Sequence, residues 1–164
     1  MGMQLIETIE VGAGGAASIE FTSIPQDGTD LQVVLSSRST DGNNYFGLQF
    51  NNDTGSNYNY KLLSGTGTAV SSATITSGSF LRIYSGDSDY TANTFGNSSA
   101  YIPNYTSNSA KSYSTDALNE NNSTASIQNL GAGSWTGTSA ITSLKIYGAI
   151  AQYSTASLYK ITAD

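Results

Sequence analysis

The chain has 164 residues, of which 59 are Ser, Thr or Asn and only 11 % are charged, against about 25 % in an ordinary soluble domain. Six bases face twelve acids, for a net charge of −6, and no basic stripe can form to track nucleic-acid phosphates. Cys and His are both absent, which excludes disulfides, thiolate nucleophiles, zinc–thiolate and imidazole metal centres, and Ser-His-Asp or Cys-His catalysis.

Taken in chain order, the elements read as strands. Leu5 to Val11 opens the chain as a first strand or as an arm, with Leu5, Ile6 and Ile9 as the side chains that would dock it. The Gly12-Ala13-Gly14-Gly15 run separates it from residues 16–164, which read as one β-sandwich domain. Ala17, Ile19 and Phe21 alternate with Ser18, Glu20 and Thr22, the period-two pattern of a strand with one face on a core. Leu31, Val33 and Leu35 repeat the pattern, as do Phe46, Leu48 and Phe50. Further runs lie at Tyr60–Leu63, Ala73–Thr76, Phe80–Tyr84, Ala100–Pro103, Ser112–Asp116, Thr124–Leu130, Ala140–Tyr147 and Tyr153–Ile161.

Turn residues punctuate these runs: Asp27-Gly28, Asp41-Gly42, Gly65-Thr66-Gly67, Gly86-Asp87 and Gly131-Ala132-Gly133. Pro25 and Pro103 mark strand ends, because proline cannot donate to a ladder. The one hint of helix is Ala117-Leu118-Asn119-Glu120 behind Asp116 as an N-cap, stopped within a turn by Asn121-Asn122. The expectation is an all-β fold, two packed antiparallel sheets with about ten strands. Its core includes Ile19, Phe21, Leu31, Val33, Leu35, Phe46, Leu48, Phe50, Leu144, Ile146 and Leu158.

Chemistry-bearing clusters are few. Asp87 and Asp89 around Ser88 read either as a calcium-binding loop or as an acidic turn. So do Asn51, Asn52, Asp53 and Asn57, although the glutamate and spacing of an EF-hand are missing. No G-x-S-x-G elbow and no phosphate-binding loop occurs, and no base stands near the many hydroxyls, so no enzyme is expected and no cofactor. Eleven tyrosines and one tryptophan remain. Tyr45, Tyr58, Tyr60, Tyr90, Tyr101 and Tyr105 sit in or beside Asn-rich stretches. They read either as caps on the core or as a lectin-like surface, for which Tyr90, Tyr101, Asn104 and Tyr105 are the candidate recognition residues. Trp135 reads as a plug at one end of the sandwich. No run approaches the 18 apolar residues of a spanning helix, so no membrane partner is expected, and the lack of a basic stripe removes nucleic acid as well.

Four segments carry a family resemblance. They are Ile19-Glu20-Phe21-Thr22-Ser23-Ile24-Pro25 leading to Thr29-Asp30-Leu31, Phe50-Asn51-Asn52-Asp53-Thr54-Gly55-Ser56-Asn57-Tyr58, Asn93-Thr94-Phe95-Gly96 with Tyr101-Ile102-Pro103-Asn104-Tyr105, and Tyr153-Ser154-Thr155-Ala156-Ser157-Leu158-Tyr159. In order and spacing they resemble small virion proteins of marine tailed bacteriophages, from about Glu7 to Ile161. The resemblance implies a jelly-roll-like sandwich at the particle surface, on the capsid or at a fibre, with no catalytic residues to carry over. The expected role is capsid decoration or cementing, with capsid or other virion proteins as partners and a homo-oligomeric state imposed by particle symmetry. The alternative is a fibre-tip module that binds a receptor or a host glycan.

Overall fold

The computed structural model describes residues 2–121 and 126–163. Twelve strands form two sheets: β1 (Gly2–Glu10), β2 (Ala16–Phe21), β3 (Asp30–Ser37), β4 (Tyr45–Phe50), β5 (Tyr58–Thr66), β6 (Ala69–Gly78), β7 (Leu81–Tyr84), β8 (Gly96–Ile102), β9 (Lys111–Glu120), β10 (Ser126–Trp135), β11 (Leu144–Ile150) and β12 (Thr155–Thr162). The larger sheet runs β1-β12-β3-β8-β9-β10-β5-β6 and the smaller β2-β11-β4-β7. No helix occurs among the described residues, so the all-β, two-sheet expectation holds, with twelve strands in place of about ten.

Eight of the strands pair as nested antiparallel partners: β1 with β12, β2 with β11, β3 with β8, and β4 with β7. Such a chain is one long double strand rolled up, and its successive segments alternate between the sheets. This is the jelly-roll arrangement. Two hairpins are inserted into it. β5–β6 sits between β4 and β7, and β9–β10 between β8 and β11. Both add to the larger sheet, which therefore runs four strands past β8.

The core between the sheets is built from the alternating positions named above. Ile19, Phe21, Leu31, Val33, Leu35, Phe46, Leu48, Phe50, Leu144, Ile146 and Leu158 are all buried, joined by Tyr58, Tyr105, Ile102 and Ile141. β4 is buried along both faces from Phe46 onward. Gly47 explains it, since a Cβ there would lie 2.4 Å from the Tyr147 ring, which lies flat across the outer side of the smaller sheet. Lys111 is 1 % exposed, yet its three ammonium protons are met by the carbonyls of Ser107, Ser109 and Ser139. Burial lowers its pKa, and the ammonium ties the loop after β8 to the loop after β10.

Two expectations are corrected. Ala117–Glu120 is the end of β9 and not a helix, because β8 and β10 flank it and supply ladder bonds that four helical residues could not match. Gly131-Ala132-Gly133 is the middle of β10 and not a turn. A Cβ on Gly133 would lie 2.5 Å from the Asn59 carbonyl oxygen, and one on Gly131 would lie 2.7 Å from Thr115 Cγ2, so both glycines serve close packing. Of the N-terminal stretch read as arm or first strand, Gly2–Glu10 is β1, which pairs with β12 from Gly2↔Thr162 to Glu10↔Thr155 and is an edge of the molecule's own sheet. Ile6 and Ile9 pack on the core from that edge, while Leu5 stays exposed. The expected strand start at Thr124 lies outside the described residues. Gly65-Thr66-Gly67 does mark a hairpin. Gly67, with φ of 58°, opens the two-residue turn between Thr66 and Ala69.

Candidate functional site

The two sheets treat their outer faces differently. On the smaller sheet Tyr45, Tyr147, Phe80 and Arg82 cover the surface: the Arg82 guanidinium lies 3.8 Å over the Tyr45 ring, and Phe80 meets Tyr147 edge-on at 5.9 Å. On the larger sheet the register places a long row of side chains in the open. Leu5, Tyr159, Gln32, Tyr101, Ser114, Ala132, Lys61 and Thr74 are cross-strand neighbours in one line, from β1 to β6. The adjacent line is Ser157, Val34, Ser99, Asp116, Leu130, Leu63 and Ser72.

Among the described residues nine large apolar side chains are exposed, and eight of them lie on this one face: Met3, Leu5, Val34, Leu63, Val70, Tyr101, Leu118 and Leu130. Tyr153, in the loop before β12, is the ninth. Leu63 and Leu130 face each other directly, 54 % and 45 % exposed, and Leu118 and Val70 stand one register step away on β9 and β6. Beside them a shallow groove of about 430 Å³ is bordered by Lys61, Leu63, Ser72, Thr74, Leu130 and Ala132. Scattered apolar residues on a surface mean little; Leu63, Leu130, Leu118 and Val70 form the tightest group on this face, and Ser99 and Asp116 stand between it and Val34.

The four candidate recognition residues do not come together. Tyr101 and Asn104 are exposed neighbours at one end of β8, joined through Asp30. Its carboxylate accepts the Tyr101 hydroxyl at 2.9 Å and the Asn104 amide N–H at 2.8 Å. Tyr105 is a correction: it is 0 % exposed and belongs to the core, where its hydroxyl donates to the Pro25 carbonyl and accepts from the Gly28 N–H. It locks the turn between β2 and β3 and presents nothing to a ligand. Tyr90 is half-buried beyond the other end of β8, whose seven residues span about 20 Å. Its carbonyl, with those of Ser88, Thr91 and Thr94, accepts from the Arg38 guanidinium, so one side chain organises the whole 88–94 loop. Tyr58 and Tyr60 are core residues as well.

The oxygen-rich clusters are turns knitted by internal donors. Asp53 accepts from Trp135 Nε1 at 2.7 Å, from Asn57 Nδ2 at 2.8 Å and from the Gly55 N–H at 2.8 Å. The Trp135 contact, the largest influence, holds its carboxyl below the usual aspartate range against the cost of burial, with Asn57 and Gly55 adding to it. Asn51 Oδ1 accepts from the N–H groups of Thr142 and Ser143. Asp87 accepts from the Asp89 N–H and the Ser88 hydroxyl. No group of three or more acidic metal ligands forms among the described residues.

A second concavity went unnoticed in the sequence. A cavity of about 210 Å³ on the smaller sheet is walled by Tyr45, Phe80 and Tyr147 with Asp41 and Asn43 at its rim. Tyr147 and Phe80 lie 67 residues apart in the chain, and no local pattern links them; the β4–β11 pairing, Gly47 opposite Tyr147, and the β4–β7 pairing, Leu48 opposite Leu81, together bring the rings into contact.

Compared with known proteins, the chain matches no family model and no curated protein. A crystal structure of a protein of unknown function from Shewanella oneidensis MR-1 aligns over 99 % of this chain and 77 % of its own, at 10 % identity and a TM-score of 0.23, too loose a likeness to bear on fold or function.

Proposed function

We propose that the protein is a non-enzymatic virion structural protein that decorates or cements a phage capsid, as the resemblance of its four segments implies. The observation that carries the reading is the outer face of the eight-stranded sheet, where eight exposed apolar side chains form a surface suited to docking on a shell. Hydroxyls and amides supply most of the rest of that face, with Asp30, Asp116 and Lys61 among them, which keeps it hydrated before assembly while leaving few charges to desolvate on contact. The jelly roll presents such a face along the whole breadth of its larger sheet. Imaging a gold-labelled copy on the intact particle tests the location. Label distributed over the capsid supports decoration, and label confined to the tail removes it.

A second reading, a fibre-tip module for a host glycan, is favoured by the cavity between Tyr45, Phe80 and Tyr147. Aromatic walls beside a carboxylate and an amide at the rim are the surface that stacks on a sugar ring and bonds its hydroxyls. Tyr101 and Asn104 offer a smaller exposed pair on the other sheet. Replacing Tyr147 by Ala and, separately, Tyr101 by Ala, then comparing adsorption and glycan-array binding with the parent, separates the two readings. Loss of adsorption at either site supports the glycan module, and unchanged adsorption with a blank array removes it.

A further inference from the structure

The two sheets have four edge strands, and three are guarded. β1 carries Glu7 and Glu10 and a bulge between Leu5 and Glu7. β2 is six residues long and bears Glu20, paired with Lys145. β7 is four residues long. The fourth, β6, has ten residues, Ala69 to Gly78, without a charge or a proline. Its ladder to β5 is unbroken from Tyr60↔Ile75 to Thr66↔Ala69. Nearly every residue of β6 is exposed, Val70 at 78 %. β6 bulges only near its end, at Ser77 opposite Tyr58–Tyr60; from Ala69 to Ile75 the edge is regular and uncharged, and such an edge with unpaired N–H and C=O groups is a template for another strand.

We propose that β6 pairs antiparallel with β6 of a second copy about a two-fold axis, joining the two eight-stranded sheets into one continuous sheet. The inference stands apart from the virion reading. Charge selects a second copy as the occupant. The chain carries a net −6 and repels itself over most of its surface, yet β10, β5 and β6 together bear no carboxylate and a single base, Lys61. This flank is where two acidic copies meet without opposed carboxylates. A two-fold contact also needs a strand complementary to itself, which an uncharged Ala-Val-Ser-Ser-Ala-Thr-Ile strip is. Pairing β6 with β1 instead would set Glu7, Glu10 and the bulge into the ladder. The β6–β6 joint also brings Val70 and Leu63 of each copy to the same side, so that the exposed apolar face doubles in extent.

The absence of cysteine makes the test direct. Ser71→Cys, Ser72→Cys and Ala73→Cys are made singly in the full chain and oxidised. A two-fold axis through the middle of β6 sets the residue nearest it opposite its own copy, with Cα atoms about 5 Å apart and within disulfide reach. In parallel, sedimentation velocity compares the parent with the Val70→Lys/Ser72→Lys double variant, whose changes lie on exposed positions and whose fold is checked by circular dichroism. The expected results are a dimeric parent, a covalent dimer from at least one cysteine variant, and a dimer weakened by about tenfold or more in the lysine variant. A parent that stays monomeric at every concentration overturns the proposal. So does a dimer that none of the three cysteines locks and the two lysines leave unchanged.

Discussion

Trp135 closes one end of the sandwich by satisfying both of its natures. Its rings pack edge-on against Phe50 at 5.7 Å and stack on Tyr58 at 6.5 Å, while Nε1–H finds the Asp53 carboxylate. The plug was legible in the sequence as an aromatic between glycines. Its partner was not, because 82 residues separate Asp53 from Trp135 and the acid looked like part of an oxygen-rich loop. The folded carboxyl titrates below its unfolded value of 3.8, so the native state favours the ionised form. Its contribution is therefore complete above about pH 4 and lost as the pH falls through the lower folded value. Asp53→Asn keeps an acceptor but not the charge and is expected to cost about 1 kcal/mol at neutral pH. Urea unfolding of both proteins from neutral to strongly acid solution checks it. The gap between them should close on acidification, and a gap that holds constant would mean that the charge contributes nothing.

At the level of elements, alternation found nearly all the strands, since a half-buried strand writes its period of two directly into the chain. It failed where the reason for a residue lies on another strand. Gly131 and Gly133 read as a turn by type, yet they are mid-strand positions at which Thr115, Asn59 and Tyr60 leave no room for a side chain. Ala117 to Glu120 read as a helical turn because its local preference is weakly helical, and its two neighbouring strands override that. Gly133→Ala should destabilise by about 2 kcal/mol, since the new methyl meets the Asn59 carbonyl and Tyr60 Cβ of the neighbouring strand and Leu81 of the core. Gly65 offers the contrast: nothing lies within 4 Å of its missing Cβ, on the outer face of β5. Gly65→Thr is expected to be neutral or to stabilise by roughly 0.5–1 kcal/mol, through a stiffer strand and a lower cost of ordering the chain. Denaturant midpoints with unchanged slopes report both changes. Equal effects at the two positions would refute the packing account of β10.

For the molecule as a whole, the sequence contained the sandwich but not its wiring. Nested pairing of β1 with β12 and β2 with β11 joins residues more than a hundred positions apart, and no local spacing encodes that. The same limit hid the exposed apolar group on the larger sheet. Leu63, Leu118 and Leu130 lie in three separate segments, each looking like ordinary strand residues, and only the order β9-β10-β5 sets them side by side. The scattered tyrosines misled for the converse reason: they share composition and neighbourhood in the chain, while Tyr105, Tyr58 and Tyr60 turned inward. The proposed docking role of the larger sheet is open to a direct measurement, rebinding of purified protein to capsids stripped of it. Leu63→Lys/Leu130→Lys places two ammonium groups at the centre of the apolar patch, at positions already in water, so the fold should persist by circular dichroism. Wild-type protein is expected to return to the shells and the double variant to bind at least about tenfold more weakly. Undiminished rebinding of a folded double variant would contradict docking through this face.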